Sequence, residues 1–497
     1  MTSVDKTLPI RTRWSSDSPE DRFLVENPAT GSTIASIQGG GAEQIDAAVR
    51  AANQAYRTKW RKRSARERGG ILFEIARNVR AHADEIARLE SEENGKPFTQ
   101  ARRLDVEFCI AGFEFFAGLV DKMPGQAFEF GPITGTVFLE PFGVVGGIIP
   151  FNWPPIHFAG KVAPALAVGN AIVLKPGEQA PLTVMRLAEL AQEVIPDDVL
   201  HVVPGLGPAG AALAAHPLVR KLSFTGAPAT GTRVLRAAAD NLTPTLLELG
   251  GKNPLVIFAD ADLDLALAGT IEGGFFNQGE ACTAASRILV HRSIHDRFVN
   301  ALIPAVSRLK VGDGAEPETH VGPLVTSQHK QRVLEYLEIG RKEGARIAAQ
   351  APLPKDARLR NGYFVPPTLF VGVRPEMRIA REEIFGPVVC IIPFDGYEEA
   401  IEIANGTAFG LVAAVYTRDN ELAMRASREI EAGIVFVNNF HRNLLGTPFG
   451  GTKASGFGRE HCIETLYEFG YRKAVRSPSG LGEIPRWFAV DEVLGKD

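Results

Sequence analysis

Three residues combine a reactive side chain with an unusual setting: Cys282, Glu248 and Asn152. Cys282 closes the run Phe275-Phe276-Asn277-Gln278-Gly279-Glu280-Ala281-Cys282 and is followed by Thr283. A lone cysteine is as a rule a small buried hydrophobe. Gly279, Glu280 and Thr283 nevertheless make this a polar, turn-like setting in which a thiol can be exposed and activated as a nucleophile. Glu248 ends an apolar run in Leu246-Leu247-Glu248-Leu249-Gly250-Gly251-Lys252. A carboxylate there is costly without a task or a partner, which leaves a general base of raised pKa or a structural ion pair. Asn152 lies in Pro150-Phe151-Asn152-Trp153-Pro154, where proline and aromatics would hold its amide rigidly. A fixed N–H donor of this kind suits an oxyanion hole. Asparagine is also a common turn residue, and that reading stays open.

Two glycine-bearing turns could hold a phosphate. Gly205-Leu206-Gly207-Pro208-Ala209-Gly210 satisfies G-x-G-x-x-G, but no Asp or Glu follows before Ala239, and Pro208 removes a donor. The dinucleotide fingerprint needs an acidic residue about 20 positions on, so this is read as a strand-to-helix turn. Lys221-Leu222-Ser223-Phe224 runs into Thr225-Gly226-Ala227-Pro228-Ala229-Thr230-Gly231 and then a helical stretch. Such a turn gathers free N–H groups at the positive end of a helix, which suits a pyrophosphate. Any strand-to-helix turn of an α/β sheet can look the same.

The elements that would position these residues follow from periodicity. Ile45, Ala48, Val49, Ala52, Ala55 and Tyr56 recur at helical spacing, and Ile71, Leu72, Ile75, Ala76 and Val79 begin a helix expected to run towards Leu89. Asn94-Gly95-Lys96-Pro97 should close it. From residue 140 short apolar runs alternate with helical stretches: 144–149, 171–174, 200–203, 221–224 and 254–258, then 287–290, 388–392, 411–415 and 433–437. Helical segments are expected over 181–193 and 210–215. Continuous apolar runs between helices indicate parallel strands buried on both faces, hence two successive α/β units.

Composition sets the outer limits. The chain has 497 residues, 45% apolar and 23% charged, with 50 glycines. At roughly 150 residues per domain this is about three domains of soluble globular protein. Lys and Arg number 54 against 58 Asp and Glu, so no basic field points to nucleic acid or an anionic membrane. The apolar stretch 142–151 is too short for a bilayer span, which needs about 20 residues. Met1–Asp21 has no apolar signal region. Four scattered cysteines (Cys109, Cys282, Cys390 and Cys462) make neither a disulfide scaffold nor a metal site. A cytoplasmic protein without a bound metal is expected.

Several of these segments, in this order, resemble the NAD(P)-dependent aldehyde dehydrogenase superfamily. They are Pro150–Pro154, Lys175-Pro176-Gly177-Glu178, Phe224–Gly231, Glu248–Lys252, Phe275–Cys282, Glu383-Ile384-Phe385-Gly386-Pro387, Pro448-Phe449-Gly450-Gly451 and a final S-G-x-G-R-E pattern from Ser455 to Glu460. The resemblance covers about residues 20 to 475.

The resemblance implies that Cys282 is the nucleophile, that Asn152 and the Cys282 backbone N–H hold the oxyanion, and that Glu248 activates the water hydrolysing a thioester. It implies NAD as cofactor in preference to NADP, with Lys175 and Glu178 at the adenosine ribose and Glu383 at the nicotinamide ribose. Phe385 would lie beside that ring, Gly226 in the pyrophosphate turn, and Phe151 and Trp153 among the cofactor contacts. The family's serine after that glycine is Ala227 here, which removes a hydroxyl donor. A small-molecule aldehyde would be lined by Trp153, His157, Gly160, Ala281, Thr283, His441, Arg442, Leu444 and Phe449. Gly160 is expected to leave room where relatives carry a bulky side chain, favouring a medium-sized or aromatic aldehyde. Arg442 either binds an anionic tail or faces solvent.

The fold implied is α/β, with a Rossmann-like cofactor domain (1–118 and 142–250) and an α/β catalytic domain (251–450). A small β bridging and oligomerisation element (119–141 and 451–497) would make a homodimer or homotetramer. Residues 477–497 extend past the usual family end, and their apolar side chains are expected to pack on a neighbouring subunit. Glu248 counts against a CoA-acylating relative, and Cys282, Asn152 and Glu248 together count against a catalytically silent protein on the same fold.

Overall fold

The computed structural model of the chain describes residues 9–441 and 444–495. Two mostly parallel sheets carry it. The first runs Gly456–Phe457, Thr245–Glu248, Val219–Thr225, Val144–Ile148, Ala171–Lys175, Leu200–Val202. Its pairs are parallel except the antiparallel Gly456–Phe457 edge. The chain enters at Val144–Ile148, builds outward to Leu200–Val202, and returns on the other side with Val219–Thr225 and Thr245–Glu248. The strand order therefore reverses beside Val144–Ile148. Open α/β sheets bind ligands beyond the carboxyl ends of the strands at such a reversal. Asn152, Gly226 and Leu249 all lie just past those ends.

The second sheet runs Arg346–Gln350, Thr368–Val371, Val388–Phe394, Arg287–His291, Pro254–Ile257, Val412–Tyr416, Ile434–Val437, antiparallel only at Arg346–Gln350. Its apolar runs split between two cores by alternation. Leu255, Ile257, Ile288, Val290 and Ile391 face one; Val256, Leu289, Cys390, Ile392 and Val415 face the other. Period-two side chains with both faces covered explain why these strands read as unbroken apolar runs. Cys390 is thus core, as are Cys109 and Cys462, each buried.

The α/β class and the succession of two units are as expected; three details differ. The helix expected from Ile71 to Leu89 is two, Ala65–Ala81 and Ala83–Asn94. His82 separates them at φ −112°, ψ 17°, its own ring Nδ1 lying 2.9 Å from the Asn78 carbonyl that its backbone N–H would otherwise reach. The helix-rich first third also holds a hairpin, Arg22–Asn27 with Ser32–Gln38. Strands Arg346–Gln350 and Thr368–Val371 had no sequence signal strong enough to be read.

A third, antiparallel sheet joins Gln126–Phe130, Ile133–Pro141 and Gly470–Pro478. Phe128, Phe130 and Phe138 on it are exposed, as are Leu481, Ile484, Trp487, Phe488, Val493 and Leu494 beyond it. Among the described residues no helix is long and apolar enough to cross a membrane.

Candidate active site

Cys282 lies on the loop between helix Leu263–Phe275 and strand Arg287–His291. Three consecutive residues of that loop take left-handed backbone: Asn277 (φ 51°), Gln278 (φ 56°) and Gly279 (φ 72°). Two are non-glycine, a strain that persists only where surroundings over-determine it and that clusters at functional sites. A Cβ on Gly279 would overlap the Gly386 carbonyl, so this loop packs directly on the Glu383–Pro387 turn. Phe385 in that turn is itself at φ 60°, its carbonyl accepting from His329 Nε2 at 2.6 Å.

The half-buried Cys282 stands where two cavities meet. The larger, about 550 Å³, is lined by Phe108, Trp153, His157, Phe436, His441 and Phe449 among others. The smaller, about 180 Å³, is lined by Phe151, Asn152, Gly226, Glu383 and Phe385. Cys282, Glu248 and Thr225 border both. The smaller cavity shares Pro150, Phe151, Thr225, Gly226 and Ala227 with a third of about 490 Å³, which reaches Lys175 and Glu178. The two form one groove across the carboxyl ends of the first sheet.

Burial pushes the Cys282 thiol up, and Glu248 and Glu383 push it further, while the backbone N–H groups of Thr283 and Cys282 pull the other way. Glu248 is buried, and neither carboxylate oxygen has a hydrogen-bond partner. Burial and the Glu460 charge hold its carboxyl well above the usual range, against Lys161 and Arg459. Asn152 Nδ2 donates to the Glu280 carbonyl at 3.1 Å. Behind it, Lys96 Nζ donates to the Asn152 carbonyl at 2.9 Å and is itself paired with Glu90 and Asp105 in a fully buried cluster.

Glu383 Oε1 accepts from the Gly251 N–H at 2.8 Å. A Cβ on Gly250 would overlap that carboxylate, so the glycine makes its cradle. Lys175 Nζ and Glu178 Oε2 pair at 2.9 Å, Glu178 half exposed at the groove. Ala227 caps helix Pro228–Ala239 without a side-chain hydrogen bond, so the hydroxyl expected from relatives is missing at that position. The groove thus offers carboxylates at two separate points, a helix N-terminus between them and an aromatic pair, Phe151 with Phe385 at 6.1 Å. That donor and acceptor set fits a dinucleotide: two sugars, one bridging pyrophosphate and a ring.

Several sequence assignments shift. Trp153, expected among the cofactor contacts, lines only the larger cavity. Gly160 leaves no room, because a Cβ there would lie 2.8 Å from His461 Cε1. That imidazole fills the space, packed edge-on to Phe108 at 4.9 Å and tilted to Phe449 at 5.5 Å. Ala281 is buried behind the wall, packed against the lining residues Phe108, Trp153 and Ile156. His157, Thr283, His441, Leu444 and Phe449 do line the cavity; Arg442 lies outside the described residues.

Sequence reasoning missed Phe108, Lys161 and His461, and gave Glu460 only as the end of the Ser455–Glu460 pattern, with no role at the site. Lys161 Nζ, in a helix buried along its whole length, reaches Ser223 Oγ at 2.9 Å, Thr225 Oγ1 at 2.8 Å and Glu460 Oε1 at 2.8 Å. A lysine amid Pro154–Val168 was the available signal, since buried lysines are paired. Helix Gly207–Ala214, begun by the glycine pattern at 205–210, lines the far end of the groove although it does not present a ribose-binding acid.

Comparison with known proteins agrees with this geometry. The sequence model of the aldehyde dehydrogenase family matches residues 14–475. The chain belongs to the aldehyde dehydrogenase family. It is 49% identical to an aldehyde dehydrogenase of Didymella fabae, over 97% of each protein. Among solved structures, it resembles the NAD+ complex of an aldehyde dehydrogenase from Bacillus cereus with a TM-score of 0.90 and 39% identity, covering 92% of this chain and 93% of that one. It also resembles a betaine aldehyde dehydrogenase from Staphylococcus aureus in complex with NAD+, with a TM-score of 0.92 and 35% identity, covering 96% and 95%. Membership supports oxidation of an aldehyde to an acid as the general activity.

Proposed function

We propose that this aldehyde dehydrogenase works with NAD through a covalent adduct on Cys282 that water then hydrolyses. The observation that carries the reading is the place of Cys282 and Glu248 on the wall of both cavities, between an aromatic chamber and a groove suited to a dinucleotide. The Cys282 thiolate adds to the carbonyl carbon of the aldehyde, and the carbonyl oxygen becomes an oxyanion. The Asn152 side-chain N–H and the Cys282 backbone N–H are its donors. Bound NAD supplies the hydride acceptor that takes the adduct to the thioester oxidation level. Glu248 accepts a proton from water, the hydroxyl adds to the thioester carbon, and the C–S bond breaks to return the Cys282 thiolate. A carboxyl held above its usual range by burial and by Glu460 is a stronger base than an ordinary carboxylate.

Glu178 would accept from both hydroxyls of the adenosine ribose and repel a 2′-phosphate, favouring NAD over NADP. Phe108, Trp153, Phe436 and Phe449 favour a medium-sized or aromatic aldehyde. The chain divides into a cofactor domain (1–118 and 142–250), a catalytic domain (251–450) and a bridging element (119–141 and 451–497). The exposed phenylalanines of the antiparallel sheet and the apolar side chains after Pro478 are covered in a homodimer or homotetramer. Four free cysteines suit a reducing cytoplasm.

The test is NADH formation, followed by absorbance, over a panel of aldehydes with and without CoA. Wild-type protein should turn over without CoA, and Cys282→Ala should not. Dependence on CoA, or steady-state oxidation by Cys282→Ala, would overturn the reading. A chain ending at Pro478 should change assembly size or aldehyde KM; no change in either would remove the role given to the C-terminal segment.

A further inference from the structure

His157 lines the larger cavity, yet its ring is engaged away from the apolar wall. Its Nε2 lies 3.2 Å from Asn152 Oδ1. An amide oxygen only accepts, so Nε2 carries the proton and Nδ1 is bare. Nδ1 is buried with no partner, so no competing contact on that side sets the ring. Burial, with Lys161, His461 and Lys96 nearby, pushes the imidazole well below its usual range and so favours its neutral form.

The rest of Asn152 is already held: its carbonyl accepts from Lys96 Nζ at 2.9 Å and from Asn277 Nδ2 at 3.3 Å. The remaining freedom is a half-turn of the carboxamide. That turn would present Oδ1 where an N–H is needed and set it against the Glu280 carbonyl, which now accepts from Nδ2 at 3.1 Å. Donation from His157 into Oδ1 opposes the turn and polarises the amide, strengthening its N–H groups as donors.

We infer that His157 is a positioning residue that holds the Asn152 carboxamide with its N–H towards the oxygen of the Cys282 adduct. The inference rests on the proposed role of Asn152 as oxyanion donor. It differs from a wall-only role for His157 because its effect passes through one other side chain.

The experiment is a double-mutant cycle on the full-length protein, read as the single-turnover rate of NADH formation, with melting temperature and NAD affinity by calorimetry as controls. Asn152→Ala should slow that rate by about 10²-fold. His157→Leu should slow it about five- to tenfold, the worth of one neutral hydrogen bond, with NAD affinity unchanged. His157→Gln, whose Nε2 can donate to the same oxygen, should recover most of the loss. In the Asn152→Ala background His157→Leu should cost nothing further. Equal losses in both backgrounds, no recovery by Gln, or an unchanged rate in His157→Leu would overturn the inference. An unchanged rate in Asn152→Ala would overturn the oxyanion role first and this inference with it.

Discussion

The two sides of Cys282 are built from different materials. On the groove side the contacts come from short turns at strand ends: Phe151 and Asn152 after Val144–Ile148, Gly226 after Val219–Thr225, Leu249 and Gly250 after Thr245–Glu248. Their positions are set by sheet register and by backbone that tolerates little change, as the overlap a Cβ at Gly250 or Gly279 would make illustrates. On the chamber side the contacts are side chains from helix Glu107–Leu119, helix Pro154–Val168, strand Ile434–Val437 and the loops around Phe449 and His461. Nothing in the backbone dictates their sizes. Groove chemistry is therefore hard to alter without losing function, whereas the chamber can be reshaped by paired substitutions.

The largest effect should come at the junction, where both sides fail together. Cys282→Ala should remove aldehyde oxidation on every substrate while NAD still binds, measured by absorbance and calorimetry. Next, Glu248→Gln should keep a rapid first turnover of NADH and slow the steady state by about 10²-fold or more. Because the Glu248 carboxyl is held above the usual range and the proposed base must be ionised, wild-type steady-state rate should rise with pH through that titration. The Gln variant should lose that rise and keep any part due to the Cys282 thiol, whose own titration is also raised.

A chamber substitution sharpens the comparison. Gly160→Ala should raise aldehyde KM and lower thermal stability by about 1–3 kcal/mol, since its Cβ meets His461. Adding His461→Ala should relieve the clash and shift the substrate panel towards larger aldehydes. Gly250→Ala, by contrast, should have no such partner substitution, because its Cβ meets the carboxylate that the groove needs. The smallest effect belongs to Glu178→Ala: about tenfold in NAD Kd from the loss of charge-assisted hydrogen bonds, with the preference over NADP reduced and the aldehyde panel unchanged.

What could be read in the sequence divides along the same line. Cys282, Glu248, Glu383, Phe385 and Gly226 sit in local runs of glycine, proline and apolar residues, and such runs announce turns at strand ends. The structure brings these residues to the wall of one groove. Trp153 and Gly160 also sit in a recognisable run, but their surroundings come from other segments: Phe108 and Ala281 beside Trp153, and His461 beside Gly160. His461 occupies the space expected to be open beside Gly160, and no local pattern could say so. The same holds for Lys161, whose partners Ser223 and Thr225 lie on one strand and Glu460 on a segment about 300 positions away. The break at His82 was missed for a smaller reason: helical periodicity continues through it, and only a ring nitrogen at a backbone carbonyl interrupts the ladder.

By itself the sequence determined the α/β class, most of the parallel strands along the chain, and the candidate reactive residues with the turns that carry them. Those follow from local rules: alternation, periodicity, and the few residue types that turn or cap a chain. Tertiary structure alone decided which strands are neighbours, that Cys282 and Glu248 face two cavities at once, and that an imidazole rather than empty space lies beside Gly160. The physical reason is packing: a cavity is the space left between segments, so its shape is a property of contacts at long sequence separation and is written in no single one of them.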